Sequence, residues 1–157
     1  MSDNKIAVIG LGNTLRRDDG IGILVLESLR NSYRKQGIDY LNFGIASIDL
    51  LHRLQNYKKA LLIDGINASL EPGEIKIFKL SEVVNILKKQ ITSSHEFNLK
   101  DVFILYKKLG LKTEVFIAGI QVQDVSFASG LTEKLKKSYD NIVEKVNNFI
   151  DKELLGK

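Results

Sequence analysis

The sequence has no cysteine and no tryptophan, and it has only one proline and two histidines in 157 residues. The absence of cysteine excludes disulfides, thiolate metal sites and cysteine nucleophiles, and it agrees with an intracellular setting. No run of about 18 apolar residues is present, so no membrane span is expected. The N-terminus has no basic segment leading to a cleavage site, so no signal peptide is expected either. We therefore predict a cytoplasmic protein.

The formal net charge of +4 raises the question of a nucleic-acid partner. The lysines lie mostly on the predicted outer faces of helices, where glutamate and aspartate alternate with them. No basic stripe carries the interleaved aromatic residues that stack on bases. The charge therefore indicates a solvated surface, and we predict no nucleic-acid partner.

Short apolar runs alternate with segments of helical periodicity along the chain. The runs predict five strands, at residues 6–10, 40–43, 60–63, 75–78 and 115–119. Apolar spacing predicts helices through Val25, Leu54, Leu87, Val102 and Ile142. This alternation predicts one domain over residues 1–157, a three-layer α/β/α fold with a single, mostly parallel, five-stranded sheet and helices on both faces.

Three details of this fold can be checked against a structure. The third and fourth strands are joined too closely for a crossover helix, so we expect them to be antiparallel or separated within the sheet. Asp18 and Asp19 are expected at the start of the first helix, where the macrodipole favours acids. The helix that contains Val102 is expected to carry Leu109 on the same apolar face as Val102.

Polar residues follow the carboxyl ends of the strands, where open α/β sheets bind ligands. The loop after the first strand contains Gly10 and Gly12, which suggests dinucleotide binding. However, Leu15 replaces the third glycine, and the acids before the helix would repel a pyrophosphate. Nucleotide binding therefore remains only a minor alternative.

A cation fits the same loops better. Asp19, Asp64 and His95 come from three separate loops and offer two carboxylates and one imidazole, a donor set that suits Ni²⁺, Zn²⁺ or a similar ion. The sequence has no HExxH zinc motif and no G-x-S-x-G elbow. Ser94 adjoins His95, but sequence neighbours rarely form a nucleophile and its base, so helix capping is the better interpretation.

Four blocks of the sequence resemble the [NiFe]-hydrogenase maturation endopeptidases. Residues 10–22 match the pattern G-x-G-N-x-L-x-x-D-D/E-x-x-G, which in that family follows the first strand. The resemblance continues at residues 62–65 with Pro72-Gly73, at residues 94–102, and at residues 119–121 with 130–132. One departure is residues 42–45, which read Asn-Phe-Gly-Ile where the family often has D-G-G-S/T.

The resemblance implies a function and a set of site residues. Members of the family remove the C-terminal tail of a nickel-loaded large-subunit precursor, which would be the partner of this chain. The metal-binding positions of the family fall on Asp19, Asp64 and His95, so the resemblance implies both metal and catalytic roles for these three residues. The nickel would be the substrate's own, although zinc or cadmium is expected to occupy the site in vitro.

The reaction and its alternatives stay open at this point. Water could be activated by the metal, or by Asp19 or Asp64 acting as a general base in an aspartic-type endopeptidase. A nickel-sensing assembly chaperone would use the same residues without cleavage. Arg16 and Arg17 either balance the charges of Asp18 and Asp19 or bind a carboxylate of the substrate. The sequence does not indicate an oligomeric state.

Overall fold

A computed structural model describes residues 4–45, 47–82 and 99–157 of the chain. Five strands form one sheet: β1 (Ile6–Leu11), β2 (Ile38–Gly44), β3 (Lys59–Ile66), β4 (Ile75–Lys79) and β5 (Glu114–Gln121). The described α-helices are α1 (Ile21–Ser32), α2 (Ile48–Leu54), α3 (Leu99–Lys108) and α4 (Glu133–Phe149). A 3-10 turn, Arg17–Gly20, precedes α1, and a π-helical turn, Ile150–Leu154, follows α4.

The sheet has the strand order β2-β1-β3-β5-β4, in which the first four strands are parallel and β4 runs antiparallel to β5. The short connection between β3 and β4 therefore spans the width of β5, and the expectation that these two strands are separated in the sheet is confirmed. The mostly parallel, five-stranded α/β sheet is confirmed as well.

Two apolar cores cover the two faces of the sheet. Alternate residues of β1 face opposite sides, so that Ala7 and Ile9 pack with α2 and α3, whereas Val8 packs with α1 and α4. The strands β1 and β3 are buried along nearly their whole length, as expected for strands with helices above and below. The three layers predicted from the alternating pattern are present.

Three predictions need adjustment or lie beyond what the structure describes. Leu109 is 52% exposed, because α3 ends at Lys108 and Gly110 takes a positive φ of 60° just beyond it. The prediction that Leu109 shares the apolar face of α3 is therefore wrong. The predicted helix through Leu87 falls within residues 83–98, outside the described ranges, and the single domain over residues 1–157 stays a prediction. None of the described helices is both long enough and apolar enough to cross a bilayer.

Parallel strands bring their carboxyl ends to one edge of a sheet. In this fold β1, β3 and β5 are adjacent, and the loops that leave them therefore meet at the same edge. We call this the carboxyl edge. It carries the 3-10 turn with Asp19, the end of β3 with Asp64, and the segment after β5, residues 122–132.

Candidate active site

The loop after β1 is folded tightly around Asp19. Gly12 has a φ of 134°, and a Cβ atom placed on it would lie 2.0 Å from the carbonyl oxygen of Asp19, so only glycine fits there. The backbone N–H of Asn13 donates to Oδ2 of Asp19 at 2.9 Å, and the N–H of Asp19 donates to the carbonyl of Arg16 at 2.9 Å. The Gly-x-Gly-Asn pattern therefore encodes the position of the Asp19 carboxylate.

Asp64 lies inside β3, two residues before its end, opposite Gly119 of β5. Gly65 follows Asp64 in the chain, and Asp18 precedes Asp19. These two neighbouring residues lie close together, because a Cβ atom on Gly65 would lie 3.3 Å from the carbonyl oxygen of Asp18. Asp19 is 0% exposed and Asp64 is 1% exposed. The structure thus brings Asp19 and Asp64 to the carboxyl edge as two buried carboxylates.

His95, the third predicted ligand, lies outside the described residues. Within residues 4–45, 47–82 and 99–157, no group of three metal-binding side chains is found. The prediction that Asp19, Asp64 and His95 form one site therefore stays a prediction.

Asp18 has a different environment from Asp19, although the two are adjacent. Its buried carboxylate accepts hydrogen bonds from the backbone N–H groups of Gln123 (2.9 Å), Asp124 (3.1 Å) and Thr132 (2.8 Å), and from the hydroxyl of Thr132. Thr132 is the N-cap of α4, yet its side chain does not cap its own helix. Asp18 thus supplies the anion that the N-terminus of α4 favours.

This arrangement corrects the expected role of the two acids. Helix α1 begins at Ile21 and has no acid in its first turn, because Asp18 and Asp19 lie in the preceding 3-10 turn. The carboxylate of Asp18 stabilises α4 instead of α1. Sequence reasoning missed this role, since Thr132 is 114 positions away and no local pattern reports a contact over that distance.

The two arginines of the loop contact the segment after β5. Arg17 pairs with the Asp124 carboxylate at 3.3 Å, and Arg16 Nε donates to the carbonyl of Val125 at 3.1 Å. The backbone N–H of Ser126 donates to Asp124, and this bond, helped by the charge of Arg17, holds the pKa of Asp124 below its usual value. Arg17 therefore forms an ion pair with Asp124, in the segment after β5.

Gln121, at the end of β5, is buried and holds the segment that follows β3. Its carboxamide oxygen accepts from the N–H groups of Ala68 (2.8 Å) and Leu70 (3.2 Å), and its nitrogen donates to the carbonyl of Val122 at 2.9 Å. The oxygen and the nitrogen of this buried amide are both hydrogen-bonded within the protein. We therefore assign Gln121 to the support of the carboxyl edge.

Three buried carboxylates lie at the carboxyl edge. Taking a carboxylate out of water is costly unless hydrogen bonds or a positive charge compensate for it. The carboxylate of Asp18 is compensated by the four donors described above. Asp19 and Asp64 add two further buried carboxylates at the same edge. Both residues also have interaction partners in the folded protein.

A bound nucleotide has little support in this geometry. The first three residues of α1, Ile21 to Ile23, are buried, so this helix N-terminus presents no open N–H groups for a pyrophosphate. The two acids immediately before the helix add negative charge at the same place.

A family model described as hydrogenase maturation protease matches residues 23–148, which is well over half of the chain. The chain belongs to the hydrogenase maturation protease family. This protease is therefore a peptidase of hydrogenase maturation, as the sequence motifs implied. The match contains Asp64 and His95 and begins four residues after Asp19, so the signature loop supports the assignment independently.

Relatives of this protease match over most of its length. A putative hydrogenase maturation protease of Methanocaldococcus jannaschii is 29% identical over 157 residues, which cover 97% of this chain and 100% of that protein. The hydrogenase expression/formation protein HoxM of Azotobacter vinelandii is 26% identical over 153 residues, covering 96% of this chain and 74% of HoxM.

Solved structures agree with the fold. The hydrogenase maturating endopeptidase HybD from E. coli superimposes with a TM-score of 0.78 at 25% identity, covering 94% of this chain and 93% of HybD. The [NiFe] hydrogenase maturation protease HycI from Thermococcus kodakarensis gives a TM-score of 0.73 at 21% identity, covering 96% and 94% of the two chains, and supports the fold alone. The predicted family, fold and peptidase class are confirmed, whereas the site residues and the metal stay predictions.

Gly22 offers a direct test of how tightly the carboxyl edge is packed. A Cβ atom on Gly22 would lie 2.2 Å from the carbonyl oxygen of Ile63 and 2.3 Å from that of Leu11, and these backbone atoms cannot move aside easily. We expect Gly22→Ala to lower the free energy of unfolding by about 3 kcal/mol, measured by urea denaturation. The control is Gly37→Ala, which has a φ of 82° and no atom within 4 Å, and should cost about 1 kcal/mol through backbone strain alone. Equal losses in both variants would contradict the close packing of α1 on β1 and β3.

Proposed function

We propose that this protease removes the C-terminal tail of a nickel-loaded [NiFe]-hydrogenase large-subunit precursor in the cytoplasm. Family membership supports a peptidase of hydrogenase maturation, and the observation that carries the finer proposal is the pair of buried carboxylates, Asp19 and Asp64, at one sheet edge. The nickel is part of the substrate in this proposal.

Asp19, Asp64 and His95 are proposed to contact that nickel together. Two carboxylate oxygens and one imidazole nitrogen form a donor set that suits Ni²⁺ and leaves coordination positions for ligands of the precursor. Strand alternation directs Asp64 toward the face that also carries Leu62, Ile66 and helix α3. His95 lies four positions before the first residue of α3 in the sequence.

The proposed reaction is hydrolysis by water. In one route Asp19 or Asp64 takes a proton from the water, the oxygen adds to the scissile carbonyl carbon, and the departing nitrogen takes a proton as the C–N bond breaks. In the other route the substrate's nickel polarises the carbonyl or the water, and the same carboxylates hold that ion in place. The chain has no cysteine, so no thioester intermediate is formed.

Recognition of the nickel would make cleavage depend on successful metal loading. A precursor without nickel would bring no cation to the carboxylates, so the proposed contact with the metal would be missing. The tail would then stay in place until the metal arrives. Zn²⁺ or Cd²⁺ added to the isolated protease is expected to occupy the same donor set.

Mass spectrometry of the precursor tests this proposal. Nickel-loaded and nickel-free large-subunit precursors are incubated separately with the protease, and we expect a loss of mass equal to the tail only in the nickel-loaded sample. A stable complex with an intact precursor would instead identify a nickel-sensing assembly chaperone. Thermal stabilisation by NAD or ATP, with indifference to nickel, would favour the nucleotide-binding alternative.

A further inference from the structure

Two highly exposed apolar residues lie next to each other on two loops of the carboxyl edge. Phe127 is 79% exposed and Leu15 is 70% exposed. A parallel backbone bridge between Arg16 and Ala128 joins their two loops, with Ala128 N–H donating to the carbonyl of Leu15 at 3.2 Å. Leu15 directly precedes Arg16, and Phe127 directly precedes Ala128. Because the bridge is parallel, Leu15 and Phe127 are neighbours on the two paired loops. We call Leu15, Arg16 and Phe127 the apolar ridge.

The ridge is exposed, but its backbone and its aromatic ring are held in place. The Arg16 guanidinium lies over the Phe127 ring, 5.4 Å from its centroid, while its Nε donates to the carbonyl of Val125 at 3.1 Å. Arg17 N–H donates to the carbonyl of Ala128 at 3.1 Å, and Asp18 accepts from the N–H groups at the start of the same segment. A preorganised surface loses little conformational entropy when it binds a partner.

The chemistry of the ridge is that of a protein-binding surface. Contiguous exposed apolar groups mark interaction sites, and aromatic residues with arginine are enriched among the residues that dominate binding energy. The ridge also offers no metal-binding atom, because it consists of two apolar side chains and a guanidinium. Any contact it makes is therefore independent of nickel.

The position of the ridge relates it to the polypeptide that reaches Asp19. Leu15 is four residues from Asp19, so their Cα atoms are at most about 15 Å apart, and the bond from Asp19 N–H to the Arg16 carbonyl shortens that path. An extended peptide covers such a distance in four or five residues. A substrate segment of that length, bound at the carboxylates, would be long enough to contact Phe127.

We propose that the apolar ridge docks the hydrogenase large-subunit precursor by binding an apolar side chain in an extended segment, four or five residues from the bond that is cut. This inference rests on the function proposed above. In this proposal the ridge binds the precursor with or without nickel, and cleavage depends on the contact between the carboxylates and the nickel. A second copy of this chain is the alternative occupant, and the test below distinguishes it from the precursor.

The test compares Phe127→Ser with the unaltered protease. Binding of nickel-free and nickel-loaded precursor is measured by biolayer interferometry, and KM and kcat are measured for tail removal. We expect Phe127→Ser to raise Kd for both forms of the precursor, and KM, by roughly tenfold while kcat is unchanged. The matched control is Leu109→Ser, an apolar residue 52% exposed that precedes β5 at the opposite edge of the sheet, and it should change neither constant.

Each other outcome overturns a defined part of the argument. Unchanged binding by Phe127→Ser together with normal cleavage would overturn docking at the ridge and leave the proposed function standing. Binding that depends on Phe127 without any cleavage by the unaltered protease would support the ridge and overturn the proposed reaction. Loss of self-association by Phe127→Ser in sedimentation experiments, with precursor binding unchanged, would identify the ridge as a contact between two copies and overturn the proposal.

Discussion

We expect Asp19→Asn and Asp64→Asn each to lower the rate of precursor cleavage by about a thousandfold or more while leaving the protein folded. Asparagine keeps the size of aspartate and an oxygen that can accept the N–H of Asn13, but it removes the charge that attracts a cation or takes a proton from water. His95→Gln should have a similar effect, because glutamine lacks the imidazole nitrogen.

The measurement is the initial rate of mass loss from nickel-loaded precursor, with the unfolding temperature of each variant as the companion measurement. Asp49 and His52 are exposed residues of α2, so Asp49→Asn and His52→Gln are matched controls that should cleave normally. Asparagine has nearly the same volume as aspartate, so the packing at these buried positions is kept and the unfolding temperatures of the Asp19 and Asp64 variants should change little. Normal cleavage by all three site variants would refute the site. A fall in rate that only follows the loss of stability would show that the carboxylates stabilise the fold and do not take part in cleavage.

The sequence is sufficient to predict the edge at which these carboxylates meet. Apolar runs of four or five residues identify buried strands, and parallel strands end at a common edge, so the pattern alone predicts Asp19 and Asp64 at one place. The observed β3 extends to Ile66, which places Asp64 inside the strand, but its side chain still belongs to that edge. The prediction that a strand exists is robust to such changes of boundary.

Features that depend on distant contacts are beyond sequence reasoning. The bridge between Arg16 and Ala128 joins loops that are more than a hundred residues apart, and neither loop contains an apolar pattern that predicts pairing. Leu109 fits the helical spacing of α3 but lies beyond its last residue, because periodicity does not report where a helix stops. The pattern of charges in the sequence does not predict the ion pair of Arg17 either, because its partner Asp124 is 107 positions away.

Asp18→Ala should be the most destabilising single change at the carboxyl edge that leaves the core apolar residues intact. Alanine removes the carboxylate that accepts from three backbone N–H groups, those of Gln123, Asp124 and Thr132, in a region where Asp18 and Thr132 are buried. Leaving buried donors without an acceptor costs far more than a typical hydrogen bond contributes, so we expect a loss of about 4 kcal/mol in the free energy of unfolding.

Urea denaturation followed by circular dichroism measures this loss. The control is Asp140→Ala, an exposed acid on the same helix α4, which should change stability by less than about 0.5 kcal/mol. Asp18→Asn should fall between the two, because the amide keeps one accepting oxygen but turns two donors toward other donors. A loss below about 1 kcal/mol in Asp18→Ala would show that water replaces the carboxylate and that α4 does not depend on it.

Asp18→Asn and Asp19→Asn should therefore have opposite effects on stability and on the rate of cleavage. Asp18→Asn is expected to lower stability and, at a temperature where it is folded, to retain much of its cleavage rate, because its carboxylate faces Thr132 and the segment after β5. Asp19→Asn is expected to retain stability and lose the rate. This reversal would follow from what each charge does: the Asp18 anion ties the 3-10 turn to the start of α4 through several donors, whereas the charge of Asp19 is proposed to act on the substrate's cation.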